Sequence, residues 1–262
     1  MAYGAPRSAD TMKDARQNPV QLSELSLGFE VLNGRPDWPA LTISVDGANP
    51  FADVAPAWRG FDPAAMLGTR SPFIPETFGR RVAVHRCTCG EAGCGVIAPV
   101  VVMSSDQRIV SWVDFRDYTG VFWGPTVDEP VDAEGRPWDL ADIHFDTAQY
   151  LAEVTRASGD RSWETPRRQV ARLVHERLAP LGLRLHPDME LAWVSPAWSA
   201  EGVSLMFQQR TDGPTFSLAQ QLLVLSSDLE EPQAAAEDIA RTLLSVDRED
   251  WVQAFGRALG ST

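Results

Sequence analysis

The chain has no long apolar run. Its longest strongly apolar stretch, Val96 to Met103, falls well short of the roughly 20 residues that cross a bilayer. Residues 1–20 show none of the apolar core of a secretory signal. The expectation is a cytoplasmic protein with no membrane partner. Positive charge is also scarce: 23 Lys and Arg stand against 36 Asp and Glu, for a formal net charge of −13. A surface of that sign repels phosphate backbones, so nucleic acid is not an expected partner. A protein partner, and a basic one, fits the charge better. Solubility alone accounts for it more simply.

Signatures of common chemistries are missing too. There is no Gly-x-Gly-x-x-Gly and no Gly-x-x-x-x-Gly-Lys to cradle a phosphate, and no Gly-x-Ser-x-Gly elbow. The four histidines, His85, His144, His175 and His186, are scattered. No pair of carboxylates stands in a context that suggests acid–base work. His144-x-Asp146 has the spacing of two ligands of an iron site, but Asp146 has a better use as a helix cap.

Cysteine is rare as well, with three in 262 residues, yet all three fall in one stretch. Residues 81–96 read Arg-Val-Ala-Val-His-Arg-Cys-Thr-Cys-Gly-Glu-Ala-Gly-Cys-Gly-Val, which holds Cys87, Cys89 and Cys94 beside His85. In a reducing compartment, clustered cysteines point to metal binding or reactivity before stable disulfides. Zinc takes about four Cys, His or carboxylate ligands, and His85, Cys87, Cys89 and Cys94 are the candidate set, with Glu91 as a spare oxygen. Residues two apart on a strand share a side, which would converge His85, Cys87 and Cys89. Gly90 and Gly93 would let the chain turn to bring in Cys94. The Cys-x-Cys spacing is less usual for zinc than Cys-x-x-Cys, and there is no second cysteine pair.

Two other readings stay open. One is a reactive or redox thiol, with Arg86 adjacent to favour a thiolate but no base or orienting group identified. The other is a tight glycine turn in which small thiols merely pack.

The remaining sequence describes an α+β protein. Apolar residues make up 44% and charged residues 23%, as in an ordinary globular chain, and the length allows one large domain or two small ones. Residues 1–20 read as a loose tail. Leu25 to Val31 and Leu41 to Val45 alternate with period two, which predicts two antiparallel strands around an Asn33-Gly34 turn. Residues 62–67 suggest a short helical turn. Strands are expected from Val82, over Val96–Met103 and over Ile109–Phe115. Residues 119–140 show no clear element and read as a linker or lid. Asp146 with Gln149 as its capping partner opens a helix to about residue 157. Thr165-Pro166 opens another that Gly182 stops. Strands at 191–194, 203–208 and 222–225 precede two helices, the last capped by Asp247 with Trp251, Phe255 and Leu259 on one face. The expected organisation is a tail at 1–20, a β-rich domain at 21–118 built mainly of antiparallel sheet, a linker or lid at 119–140, and an α+β domain at 141–262 with helices on a smaller sheet.

The run Cys-x-Cys-Gly-x-x-Gly-Cys, followed by an apolar strand, by Val110-x-Trp112-x-Asp114-Phe115 and by Asp146-Thr147-Ala148-Gln149-Tyr150, resembles a group of uncharacterised bacterial proteins, many of them actinobacterial. The likeness covers roughly residues 25–156. It implies a shared fold and no activity.

The leading functional expectation is a non-catalytic cytosolic protein that binds a partner, with the cysteine turn as a structural element that can hold zinc. An acidic chain with nine tryptophans suits capture of a basic protein, by compositional analogy with immunity or antitoxin-type proteins. The competing expectation is an enzyme or redox protein with its chemistry at Cys87, Cys89 and Cys94. Whether the chain is an enzyme stays open on sequence alone.

Overall fold

The structure is a computed structural model that describes residues 20–31, 35–53, 55–68, 70–76, 78–89, 94–122, 124–127, 135–198, 201–209 and 220–257. Residues 1–19 of the expected tail and the Asn33-Gly34 turn lie outside these residues. The fold is α+β with antiparallel sheets, and it divides into two compact units. The first comprises residues up to Gly28 and Leu41–Gly159; the second comprises Phe29–Ala40 and residues from Asp160 onward. No helix among the described residues is long and apolar enough to cross a membrane.

The first unit is built on β3 (Arg80–Arg81), β4 (His85–Arg86), β5 (Val96–Met103), β6 (Ile109–Tyr118), β7 (Arg136–Pro137) and β8 (Ile143–Asp146). These make a six-stranded sheet in the order β3-β5-β6-β7, with β4 on β5 and β8 on β6. Strand β5 is buried at Val96, Ile97, Ala98 and Val101, as its nearly continuous apolar sequence requires. Its register with β6 shifts because Pro99 alone stands opposite Asp114 and Phe115. Asp114 has φ +48° there, the left-handed conformation that a bulge of this kind needs. Arg81, buried beneath, donates to the freed Ala98 and Asp114 carbonyls at 2.8 and 2.7 Å and to the Asp114 carboxylate at 2.6 Å.

Strand β1 (Leu25–Val31) pairs with β2 (Pro39–Val45). A short α1 (Pro63–Met66) is capped by Asp62. Helix α2 (Thr147–Gly159) follows β8 directly. Only half of its expected capping box forms: Asp146 accepts from the Gln149 backbone N–H at 3.0 Å. The Gln149 side chain instead pairs with the Leu25 backbone, donating to its carbonyl at 2.7 Å and accepting from its N–H at 3.2 Å. Glu153 and Arg156 treat Leu27 the same way, at 2.6 and 2.5 Å. Residues 149, 153 and 156 share one helix face, while 25 and 27 share one strand edge, so the helix side chains act as a ladder for β1.

The last crossing of the chain between units falls at Gly159/Asp160. Segment 141–159 belongs with the first unit because β8 pairs with β6 from Ile109↔Asp146 to Trp112↔Ile143. The described parts of 119–140 are tied to the same unit, through Ala83 N–H to Pro125 O at 2.8 Å, the β7 pairing and Trp138 N–H to Phe115 O at 2.8 Å.

The second unit carries α3 (Pro166–Leu178), β9 (Arg184–His186), β10 (Met189–Pro196), β11 (Val203–Gln209), β12 (Gln220–Leu225), α4 (Pro232–Ser245), α5 (Trp251–Phe255) and β13 (Gly256–Arg257). Its five strands lie in the order β13-β12-β11-β10-β9. Val174 and Leu178 of α3 pack with Ile239 and Leu243 of α4 and with Leu205, Phe207 and Leu223 of the sheet. The stop at Gly182 forms as expected, with φ +57°. The last helix is shorter than its apolar spacing suggests, because the chain turns at Gly256 into β13; Leu259 lies outside the described residues.

A candidate three-cysteine metal centre

Strand β4 runs antiparallel to β5, with His85↔Ile97 and Arg86↔Val96 opposed. The ladder continues one step beyond, from Cys87 N–H to Gly95 O at 2.9 Å. The two ends of the 87–95 loop are thus held side by side, and the three sulfurs converge. The Sγ atoms of Cys87, Cys89 and Cys94 all lie within 4.8 Å of one another. The Cys89 backbone N–H donates to Cys87 Sγ at 3.4 Å. A tetrahedral zinc with Zn–S of about 2.3 Å places its sulfurs about 3.8 Å apart, so the spacing suits such an ion. None of the three is in a disulfide; Cys89 is exposed and the other two are partly buried.

Gly95 is required by its neighbour. A Cβ there would stand 2.9 Å from the Trp58 ring. Trp58 in turn lies 6.4 Å from Trp138, centroid to centroid. Mutual hydrogen bonding with Cys89 and then Cys87 pushes the Cys94 thiol up to about 12. A coordinated cation would reverse that preference at Cys94 by binding the thiolate.

His85 does not join the sulfurs: among the described residues the cluster consists of the three cysteines. The alternation that would align His85 with Cys87 and Cys89 needs a longer strand, but β4 ends at Arg86 and the chain bends at residues 88 and 89. His85 is buried instead, stacked on Phe51 at 4.7 Å. Burial lowers its pKa to about 4 against a backbone hydrogen bond with Ala55, so the ring is neutral near pH 7. Glu91, Gly90 and Gly93 lie outside the described residues. Among the described residues the cysteines thus offer three ligands for such an ion.

The Arg86 guanidinium lies 5.3 Å from the Phe61 ring centroid. Of the other candidates, Asp146 caps α2 and His144 Nδ1 pairs with the Ser111 hydroxyl at 2.8 Å. His175 lies on α3 and His186 on β9, both in the second unit. Trp112 and Phe115 are core residues. Sequence reasoning did not reach Trp58, whose approach to Gly95 joins positions 37 residues apart and leaves no local pattern.

No protein-family model matches the chain, and no curated protein or solved structure matches it either.

Proposed function

We propose that the chain is a non-catalytic cytosolic protein that binds a protein partner, and that Cys87, Cys89 and Cys94 hold a structural zinc ion. The observation that carries the metal assignment is the convergence of the three sulfurs within 4.8 Å. Closure of the loop by the Cys87–Gly95 hydrogen bond supports it, as does the packing of Trp58 on Gly95. An ion there would tie two strand ends together across residues 87–95. Ordering an irregular loop in this way is the use that small structural zinc sites serve.

The partner assignment draws on the net charge of −13 and on exposed aromatic surface in the second unit. Trp193 and Trp198 are 42% and 56% exposed. Trp38 lies edge-on to Trp198 at 4.7 Å, and the Arg35 guanidinium sits 3.8 Å over the same ring. Large aromatics exposed in this way are enriched at protein interfaces.

A second reading draws on the same sulfur cluster: exposed Cys89 beside Cys87 and Cys94 suits a thiol–disulfide couple. Thermal unfolding with and without a chelator separates the two. A structural ion predicts that chelation lowers the wild-type Tm and leaves a Cys94→Ser variant unchanged at its already lower Tm. A redox couple predicts a Tm insensitive to chelator, one rapidly alkylated thiol, and a variant that folds normally but has lost that reactivity.

A further inference from the structure

A cavity of about 260 Å³ opens in the second unit, where the first turns of α3 and α4 meet the ends of β11 and β12. Val170, Val203, Leu229 and Ile239 give it an apolar lining, and Glu201 and Glu230 are its two carboxylates. That volume is just below the roughly 300–1,000 Å³ of pockets that enclose drug-sized ligands, so it suits a smaller molecule. Its walls are fixed in advance. Arg167 donates to the Ala197 and Gly202 carbonyls at 3.0 and 3.3 Å, which holds the turn between β10 and β11 that carries Glu201. Gly202 has φ +94°, and a Cβ there would collide with the Leu225 carbonyl oxygen, so only glycine lets this turn lie against the end of β12. On the other side the Ser227 hydroxyl donates to Asp238 at 2.8 Å and accepts from the Leu229 N–H at 3.3 Å, anchoring the loop that carries Glu230.

The polar groups of the cavity show which charge it lacks. Arg167, its one cation, pairs with the Asp37 carboxylate at 2.7 Å in addition to the two carbonyls. A helix N-terminus favours an anion through its unmade N–H groups, but here those groups are engaged. In α4 the Glu231 carboxylate accepts from the Gln233 and Ala234 N–H groups at 3.1 and 2.6 Å. In α3 the Thr165 hydroxyl accepts from the Arg168 N–H at 3.2 Å. Both helices also begin with proline, which has no N–H to offer. Glu201 and Glu230 differ from these groups. Both are exposed, and among the described residues neither has a cation within ion-pair distance. Other exposed carboxylates of the unit do, with Glu176 on Arg172 at 2.9 Å and Glu237 on Arg241 at 3.9 Å.

We propose that this cavity binds a small organic ammonium ion, an apolar body that carries one protonated amine. The body displaces water from the lining at Val170, Val203, Leu229 and Ile239, which supplies most of the affinity. The ammonium stays at the mouth, where the two carboxylates offer acceptors for its three N–H donors. Both carboxylates are in contact with water, so they select the charge of the ligand more than they add to its affinity. The cavity belongs to the second unit and the cysteines to the first, so the assignment is independent of the metal. It is equally independent of the protein partner.

The test uses the full chain in low-salt buffer near pH 7, with hexylammonium, hexan-1-ol and hexanoate as probes. The three share an aliphatic body and differ in charge; the amine is protonated at this pH, as lysine is. Each is titrated separately while the methyl resonances of Val170, Val203, Leu229 and Ile239 are followed by NMR. The expected result is saturable movement of these signals with hexylammonium, at a concentration about three- to tenfold lower than hexan-1-ol requires, and with hexanoate weaker still. Glu201→Gln combined with Glu230→Gln should weaken hexylammonium by the same factor and leave hexan-1-ol unchanged. Glu237→Gln, which removes a paired carboxylate of α4, should leave both titrations unchanged. Absence of saturable movement with hexylammonium overturns the proposal, as does hexan-1-ol or hexanoate binding as tightly. A double variant that binds hexylammonium like the wild type overturns it too. The comparison of the three probes on the wild-type chain does not depend on any variant folding.

Discussion

The Trp112 indole N–H donates to the Tyr150 hydroxyl at 3.1 Å, and that hydroxyl donates onward to the Phe73 carbonyl at 2.9 Å. The three side chains form a buried aromatic cluster in which the Phe73 and Trp112 rings stack 5.7 Å apart, inclined by 9°, and Tyr150 meets Trp112 edge-on. Burial raises the Tyr150 pKa, so the hydroxyl remains a donor at any working pH. Tyr150→Phe keeps the ring and deletes one oxygen, stranding a buried donor and a buried acceptor. The expected loss is about 1–3 kcal/mol, read as a lower denaturant midpoint with an unchanged slope.

The α2 side chains on β1 give a pH dependence with a definite sign. Hydrogen bonds from Arg156 lead the lowering of the Glu153 pKa, against a partial burial that opposes them. A carboxylate whose folded pKa is depressed contributes stability that is complete above the ordinary glutamate value of about 4.3 and is lost as pH falls through the folded value. Asp46 and Asp106 titrate in the same direction through hydrogen bonds to their carboxylates. The chain should therefore lose stability steadily on acidification below about pH 4.3. Glu153→Gln should unfold less steeply with falling pH over that range and be less stable than wild type at pH 7. Thermal melts at half-unit pH steps measure both.

Much of the fold was legible because its signals are local. Alternation marked Leu25 to Val31 and Leu41 to Val45, and Thr165-Pro166 and Gly182 bracketed α3 with its short terminal turn. What escaped was non-local. Gln149 has the spacing of a capping partner, and only the nearness of the Leu25 edge diverts it. The 119–140 region changes composition without ending a unit, because a strand-pairing partner at 143–146 cannot be read from the loop before it. The cysteine cluster was visible as crowding in sequence. His85 was misplaced by extending period two through a strand that stops after two residues.

Gly95→Val tests whether the Trp58 packing shapes the cysteine turn. The added Cβ would press on the Trp58 ring at 2.9 Å, and the branched side chain leaves less room still. Either the indole or the strand end that carries Gly95 and Cys94 must move. Overpacking of this kind costs about 1–3 kcal/mol. Tryptophan fluorescence should change, and any metal should be released by a competing chelator at least tenfold more readily than from wild type.

The most direct test of the metal assignment is zinc content, measured by elemental analysis on protein purified without a histidine tag, with the Cys87→Ser, Cys89→Ser, Cys94→Ser triple variant beside it. Three converging sulfurs predict about one zinc per wild-type chain and none in the variant, together with a sulfur-to-metal charge-transfer band when cobalt replaces zinc. Wild-type protein without metal, whose three thiols titrate freely and which binds no added zinc or cobalt, would contradict the assignment.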